Sequence, residues 1–344
     1  MKHNLLKTLK YLSFFFIGIF IFWYVYKEQN ISQIKNILTK DVNYFWIIVS
    51  IFLGLLSHIS RTIRWNLMIE PLGYKPRMLN TFLAVMIGYL MNLVLPRMGE
   101  ISRCGVLARY EKIPFTKLVG TVVLERIIDV LMLLLLLVIV ILTQFGQILE
   151  FLKNQPAVKD NLERVIYSPL LIIGLIISFI ILWLYRHKIY QSSLVKKVMG
   201  FVHQFVEGFQ SIRNMKKKGA FIFHSIFIWF LYYMMLYCVF FSFEFTSNLT
   251  PLAGLTVFVF GSFGMVAPVQ GGIGPYEFMV MEGLALYGVQ RAYGGAFALL
   301  AHMTSLILIL VFGLISLIIL PFVNERAEEV ELNGDRRRET EDRR

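Results

Sequence analysis

Charge is what this 344-residue chain has least of. Only 16% of its residues are Asp, Glu, Lys or Arg, while 57% are hydrophobic and the mean hydropathy is +0.65. A soluble domain carries about 25% charged and about 45–50% apolar residues. The scarcity is also uneven: residues 11–26, 131–147 and 296–323 hold no charge at all. Runs of that length exclude a soluble fold and match a bilayer core about 30 Å thick, which takes about 20 apolar residues per helix. Cysteine is nearly absent too. Cys104 and Cys238 cannot build a disulfide framework or a thiolate metal site, and they are expected as small buried or lipid-facing residues. No zinc-finger spacing, metal-ligand set or nucleophile–base pair occurs, so neither cofactor nor metal is expected. The formal charge of +12 does not point to nucleic acid, because Lys and Arg sit between apolar segments, where they set topology and meet anionic headgroups. Lys2, Lys7 and Lys10 precede an apolar run as in a signal peptide. The run lacks a small-x-small cleavage site and reads as a retained span.

Six segments read as full spans: 9–26, 44–59, 118–142, 169–185, 220–243 and 296–320. Two others are short and broken. Residues 81–95 run into Pro96-Arg97-Met98-Gly99-Glu100, and 252–267 run into Pro268-Val269-Gln270-Gly271-Gly272-Ile273-Gly274-Pro275. The arm after the first break, 101–110, reaches about 15 Å at about 1.5 Å per residue, half a membrane. The expected fold is therefore an all-α integral membrane protein with six transmembrane spans plus two re-entrant helical hairpins; eight or so full spans is the alternative. With the N-terminus inside, six spans and two hairpins place most Lys and Arg in the cytoplasm, including the basic stretch 186–218. Pro96 and Pro268 lie half a chain apart, and each half reads span, span, hairpin, span. Three crossings per half invert the second half, the pattern of an inverted-topology repeat. The expected organisation is a membrane domain over 1–322 with repeats 5–145 and 165–322. A cytoplasmic loop 186–218 carries an amphipathic helix, and the polar tail 323–344 is expected to be disordered.

Charges inside spans are the candidate functional groups. Glu125, Arg126 and Asp129 lie well inside the third span, and each costs about 2.5–3.5 kcal/mol to insert. Glu125 and Asp129 share a helix face at i,i+4 and repel, so a cation should sit between them. Arg126 can pair along the same helix, and Arg97 and Arg103 on the first hairpin are the other candidates. A structural ion-pair network competes here with a substrate or proton site. At Pro96–Glu100 a new helix begins inside the protein, and its free N–H groups beside Arg97 and Arg103 would suit a phosphate; Glu100 capping that helix is the plainer alternative. The glycine-rich break at Gly271, Gly272 and Gly274 lacks the Lys-Ser/Thr of a nucleotide loop. Its glycines allow close helix approach, Glu277 follows, and His302 in the last span can join it. Arg61, Arg64 and Trp65 end the second span, either as interface anchors or as headgroup contacts.

Together these motifs resemble a known family. Arg61-x-x-Arg64-Trp65, Pro96-Arg97-Met98-Gly99-Glu100-x-x-Arg103, Glu125-Arg126-x-x-Asp129 and Pro268-x-x-Gly271-Gly272-x-Gly274-x-x-Glu277 occur in the order seen in the flippase-like membrane family. This is the transmembrane region of lysylphosphatidylglycerol synthase and its stand-alone relatives, and the resemblance spans roughly 5–322. In the two-part synthases the membrane part is associated with moving the aminoacylated lipid between leaflets, and aminoacyl transfer belongs to a separate soluble domain. The resemblance therefore implies lipid translocation rather than an enzyme. The expected partner is an anionic phospholipid or lipid-linked substrate, with the surrounding membrane lipids and no nucleic acid; a homo-oligomer is left open. The expected location is the inner (plasma) membrane, multi-pass, with both termini cytoplasmic. An ion- or proton-coupled small-solute transporter is the alternative function, and a membrane enzyme acting on lipid headgroups a second one.

Overall fold

The structure is a computed structural model that describes residues 16–27, 29–153 and 215–341, with side chains as far as Phe151 and Glu325 in the last two stretches. Among the described residues all regular structure is helical, in the order α1 (Phe16–Tyr26), α2 (Ile31–Lys40), α3 (Tyr44–Ile69), α4 (Met78–Val94), α5 (Met98–Glu111), α6 (Phe115–Lys153), α7 (Lys218–Phe240), α8 (Glu244–Ser247), α9 (Pro251–Val266), α10 (Pro275–Ala285) and α11 (Arg291–Glu341). Among the described residues four helices are long and apolar enough to cross a bilayer: Tyr44–Leu72, Phe115–Phe151, Lys218–Phe240 and Arg291–Glu325. Three shorter apolar ones are Phe16–Tyr26, Met78–Val94 and Pro251–Val266. The chain is an all-α, multi-pass membrane protein. It falls into two compact units, one of residues 1–136 with 219–344 and one of 137–218. The sites described below lie in the first. In the second, the described residues are the end of α6 and 215–218. The expected span 169–185 and the amphipathic stretch 186–218, up to residue 214, lie outside the described residues.

Two helix bounds depart from the sequence reading. That reading stops the second span at Ile59, where charges begin, yet α3 runs on to Ile69. The extra turns bury Ser60, Arg61, Thr62, Arg64 and Trp65 against the rest of the unit. The last helix continues to Glu341 rather than giving way to an unstructured tail. Glu and Arg, both strong helix formers, dominate that stretch and support its continuation.

Both breaks form helical hairpins. In the first, α4 turns at Leu95-Pro96-Arg97 into α5, and Arg97 takes a left-handed conformation with φ 63°. The arms approach most closely where Gly88 faces Gly99. A methyl on Gly88 would stand 2.8 Å from the Gly99 carbonyl, and one on Gly99 would run into the Gly88 carbonyl. In the second hairpin α9 and α10 pack on each other, and a methyl on Gly264 would stand 2.6 Å from the Pro275 carbonyl. Small residues at such crossings let backbones pack closely where no hydrophobic drive separates helix from lipid. The last helix packs on α4, α10, α2 and α3. On that helix Asn324 pairs with Asn80 through both amides, at 2.9 and 3.1 Å. Arg77 also donates to Asn324, and Asn80 donates to Glu111 at 2.5 Å, so the open end of the first hairpin is tied to the last helix.

Candidate functional site

Three helices bring charged side chains together inside the first unit. From α3, Arg61 and Arg64 project from successive turns; α6 supplies Glu125, Arg126 and Asp129, and α5 supplies Glu100 and Arg103. Arg61 sits between the two acids of α6. Its Nη1 donates both to Glu125 Oε1 and to Asp129 Oδ2, the latter at 3.1 Å. Arg64 Nη2 donates to Asp129 Oδ1 at 2.8 Å and lies 3.5 Å from Glu125 Oε1. Arg103 Nη2 faces Glu125 Oε2 at 3.1 Å, without the alignment of a hydrogen bond, and its guanidinium stacks 4.6 Å above the Trp65 ring. Arg126 reaches Glu125 at 3.5 Å, Glu100 at 3.6 Å and Asp129 at 3.7 Å.

Polar and apolar neighbours hold this arrangement in place. Trp65 donates its indole N–H to Thr121 at 2.8 Å, and Thr121 in turn donates to the Leu118 carbonyl at 2.7 Å. Arg61 Nε donates to the Tyr232 hydroxyl at 3.2 Å, which lies 3.1 Å from the Tyr89 hydroxyl. Below them Trp65, Ile69, Val85, Leu107, Leu118 and Val122 form an apolar core across α3 to α6. The guanidinium groups of Arg61 and Arg103 are each held from two sides, by carboxylates on one and an aromatic residue on the other.

The charges do not balance. Among the described residues four arginines face three carboxylates, which leaves one positive charge in excess. Arg64 is fully buried, and among the described residues two of its nitrogens, Nε and Nη1, have no hydrogen-bond partner. Buried polar groups are overwhelmingly paired in folded proteins, so an exception calls for an explanation. At the rim, between α5 and α6, Arg126 is 46% exposed.

The second group of candidates gathers at the tip of the second hairpin. His302 of α11 lies 2.7 Å from Glu277 through Nδ1 and 2.9 Å from the Gly271 carbonyl through Nε2. Gly274 donates its N–H to Glu277 Oε2 at 2.7 Å. Gly271, Gly272 and Gly274 have φ of 58°, 78° and 94°, a region that only glycine occupies cheaply. The tip touches the first hairpin at Leu93 and passes α1 at Gly18.

Several expectations change on these observations. The cations between Glu125 and Asp129 are Arg61 and Arg64, not Arg97. Arg97 occupies the left-handed turn, is exposed, and has no place in the cluster. Arg61 and Arg64 are not interface anchors, since both are buried in ion pairs. At the start of α5 two N–H groups beside Pro96 are already engaged: Gly99 donates to Asn92 Oδ1 at 2.7 Å and Met98 to the Leu95 carbonyl at 3.2 Å. Glu100 does not cap that helix; it turns toward Arg126. Glu277 meets His302, as its place after the glycine-rich break suggested, and its other oxygen accepts from Gly274. The sequence reading missed Asn92, Tyr89 and Tyr232. Two of these, Tyr89 and Asn92, are polar side chains three residues apart in an otherwise apolar arm, and that spacing is the signal that could have found them. Cys104 and Cys238 are buried and free.

Comparison with known proteins agrees with the fold. A UPF0104 membrane protein from Methanocaldococcus jannaschii is 24% identical over 325 residues, covering 90% of this chain and 93% of its own length. No solved structure matches the chain. Residues 11–313 match the family described as the lysylphosphatidylglycerol synthase TM region, a match that takes in both hairpins and every side chain of the two clusters, and the chain belongs to that family.

Proposed function

We propose that this protein moves an anionic phospholipid, or a lipid-linked anionic substrate, between leaflets, and that its headgroup phosphate is held by the arginine cluster. The observation that carries the reading is Arg64: a fully buried guanidinium with two unpartnered nitrogens, inside a cluster with one positive charge in excess. Charge-assisted hydrogen bonds to phosphate are about twice as strong as neutral ones. Arg64 is already oriented by Asp129, so little ordering remains to be done when the anion binds. The entrance in this reading lies between α5 and α6, where the 3.6 Å contact of Arg126 with Glu100 has to part. Membership of a family named for a synthase's transmembrane region favours transport of lipid over chemistry upon it.

The membrane arrangement that suits this role has six spans and two re-entrant hairpins in a plasma membrane, with both termini cytoplasmic. The membrane domain occupies 1–322, with inverted repeats 5–145 and 165–322. The two hairpins support the repeat, since each crosses its arms at a glycine pressed against a facing carbonyl. The segregation of Lys and Arg supports the orientation.

Lipid retention tests the proposal. The purified protein is exchanged into detergent with equal phosphatidylglycerol and phosphatidylcholine, and retained lipid is counted by native mass spectrometry. Wild type should prefer phosphatidylglycerol. Arg64→Met should lose the preference by about ten- to hundredfold, the equivalent of one hydrogen bond to a charged group, about 1.5–3 kcal/mol. Glu100→Gln removes a weakly placed acid and should increase the preference. Equal retention of both lipids by wild type, or no response to either substitution, rejects the site.

A further inference from the structure

We propose that Glu277 and His302 form a proton-binding site, and that the proton held there latches the tip of the second hairpin to the last helix. The argument starts from hydrogen counting. A carbonyl oxygen only accepts, so the 2.9 Å contact with the Gly271 carbonyl requires a hydrogen on His302 Nε2. On the other side of the ring, Nδ1 lies 2.7 Å from Glu277 Oε1. A ring lone pair and a carboxylate oxygen cannot bond to each other, so one proton is shared between them, on the nitrogen or on the oxygen. Glu277 Oε2 accepts the Gly274 N–H at 2.7 Å. With the proton in place, an unbroken chain runs from the Gly271 carbonyl through the imidazole and the carboxyl group to the Gly274 amide. Both of its ends are glycines with positive φ, so this chain holds the tip in its unusual backbone conformation.

Removing the proton breaks that chain at its centre. The lone pair then faces a negative carboxylate, with side chains 1% and 0% exposed and no solvent to intervene. The ring has to turn, or to move its remaining hydrogen to Nδ1, and either change releases the Gly271 carbonyl. Among the described residues no neighbouring charge relieves the conflict, since Arg61 and Arg64 of α3 turn to Glu125 and Asp129. The titratable groups that face the pair are Tyr276, whose ring lies 4.5 Å from that of His302, and Tyr26 of α1, whose hydroxyl donates to the Gly295 carbonyl at 3.0 Å. Helices α4 and α9 carry no charged side chain, and Tyr89 of α4 turns to Tyr232 and His58. On α10 and α11, Glu282 and Arg291 pair with each other at 2.9 Å, while Tyr293 packs on Phe245. From α7, His224 and Tyr232 turn to Ser60 and Arg61, and Lys35 and Lys40 of α2 are exposed. Because the tip abuts Leu93 of α4 and Gly18 of α1, its release is passed directly to the first hairpin and the first helix. Proton occupancy thus controls whether the two hairpins stay joined, whatever the cargo.

Amide hydrogen exchange on the full chain in detergent, without added lipid, tests this. It is read by mass spectrometry at about pH 6 and about pH 9, on either side of a free imidazole, with intrinsic rates corrected. In wild type, peptides covering 268–277 should lose protection by about tenfold or more at the higher pH. Glu277→Gln is the diagnostic variant. Its amide donates to Nδ1 and its carbonyl accepts from Gly274, so it closes the latch without a titrating proton and should stay protected at both pH values. Unchanged wild-type protection, or the same loss in Glu277→Gln as in wild type, overturns the proposal. Should that variant not fold, nitrogen-15 histidine spectra of wild type, assigned with His302→Gln, give the answer. A His302 Nδ1 signal that shifts together with loss of tip protection supports the latch, and one that does not move refutes it.

Discussion

Replacing Arg103 separates the cluster's geometry from its sequence neighbourhood. Glu125 Oε1 is approached by Arg61, Arg64 and Arg126, but Oε2 has Arg103 alone, at 3.1 Å. Arg103→Ala therefore strands one oxygen of a fully buried carboxylate. Loss of an interaction with a charged group costs about 1.5–3 kcal/mol. The cation–π contact with Trp65 adds about 0.5–2 kcal/mol. The sum, about 2–5 kcal/mol, overlaps the range of about 3–5 kcal/mol seen when one partner of a buried pair is removed. Arg97→Ala is the matched control, six residues earlier on the same hairpin. Arg97 is exposed and makes no ion pair with the cluster, so its loss should change stability by no more than about 0.5 kcal/mol. Reversible unfolding in mixed micelles, followed by tryptophan fluorescence, measures both, and Trp65 reports from beneath the substituted side chain. If Arg103→Ala unfolds like wild type, or if Arg97→Ala is as damaging, the cluster is not assembled as described.

Gly99→Ala should separate the arms of the first hairpin, because the added methyl meets the Gly88 carbonyl and the Asn92 side chain; a loss of at least about 1–3 kcal/mol is expected in the same assay. Gly105→Ala, with open space around it on the same helix, should be neutral or stabilising by up to about 1 kcal/mol, and equal effects of the two would contradict the close crossing. For the proposed orientation, an impermeant thiol reagent added outside intact cells should label Thr39→Cys and spare Lys112→Cys, both positions being exposed and the native Cys104 and Cys238 buried. The reverse pattern would turn the protein over in the membrane.

What the sequence made legible follows from the range of the forces involved. Uncharged runs announce helices because insertion into lipid depends on composition alone, and Pro96 and Pro268 announce breaks because proline acts on its own backbone. The need for a cation between Glu125 and Asp129 was also legible, since i,i+4 repulsion is local. Which cation answers it was not. Arg97 looked suitable because it adjoins the break, but a left-handed turn places it outside, whereas Arg103 lies on the buried face of α5. Arg61 and Arg64 looked like interface residues because their partners are more than sixty positions away, and a buried arginine is indistinguishable from an exposed one until its acid is known. Asn92 escaped notice for a similar reason, as it caps a helix that begins after the turn rather than its own. Glu277 and His302, 25 positions apart, were associated as neighbours in the interior, but the bonding of both ring nitrogens required the folded tip.

The central claim is that a lipid headgroup enters the arginine cluster, and photo-crosslinking tests it most directly. Phosphatidylglycerol carrying a diazirine on its headgroup is reconstituted with the full chain, irradiated, and the adducts are mapped by peptide mass spectrometry, with Arg64→Met alongside. The account predicts adducts on α3, α5 and α6 around Arg64, Arg103 and Arg126 that are lost in Arg64→Met. Adducts confined to lipid-facing surfaces, or cluster adducts indifferent to Arg64→Met, would contradict it.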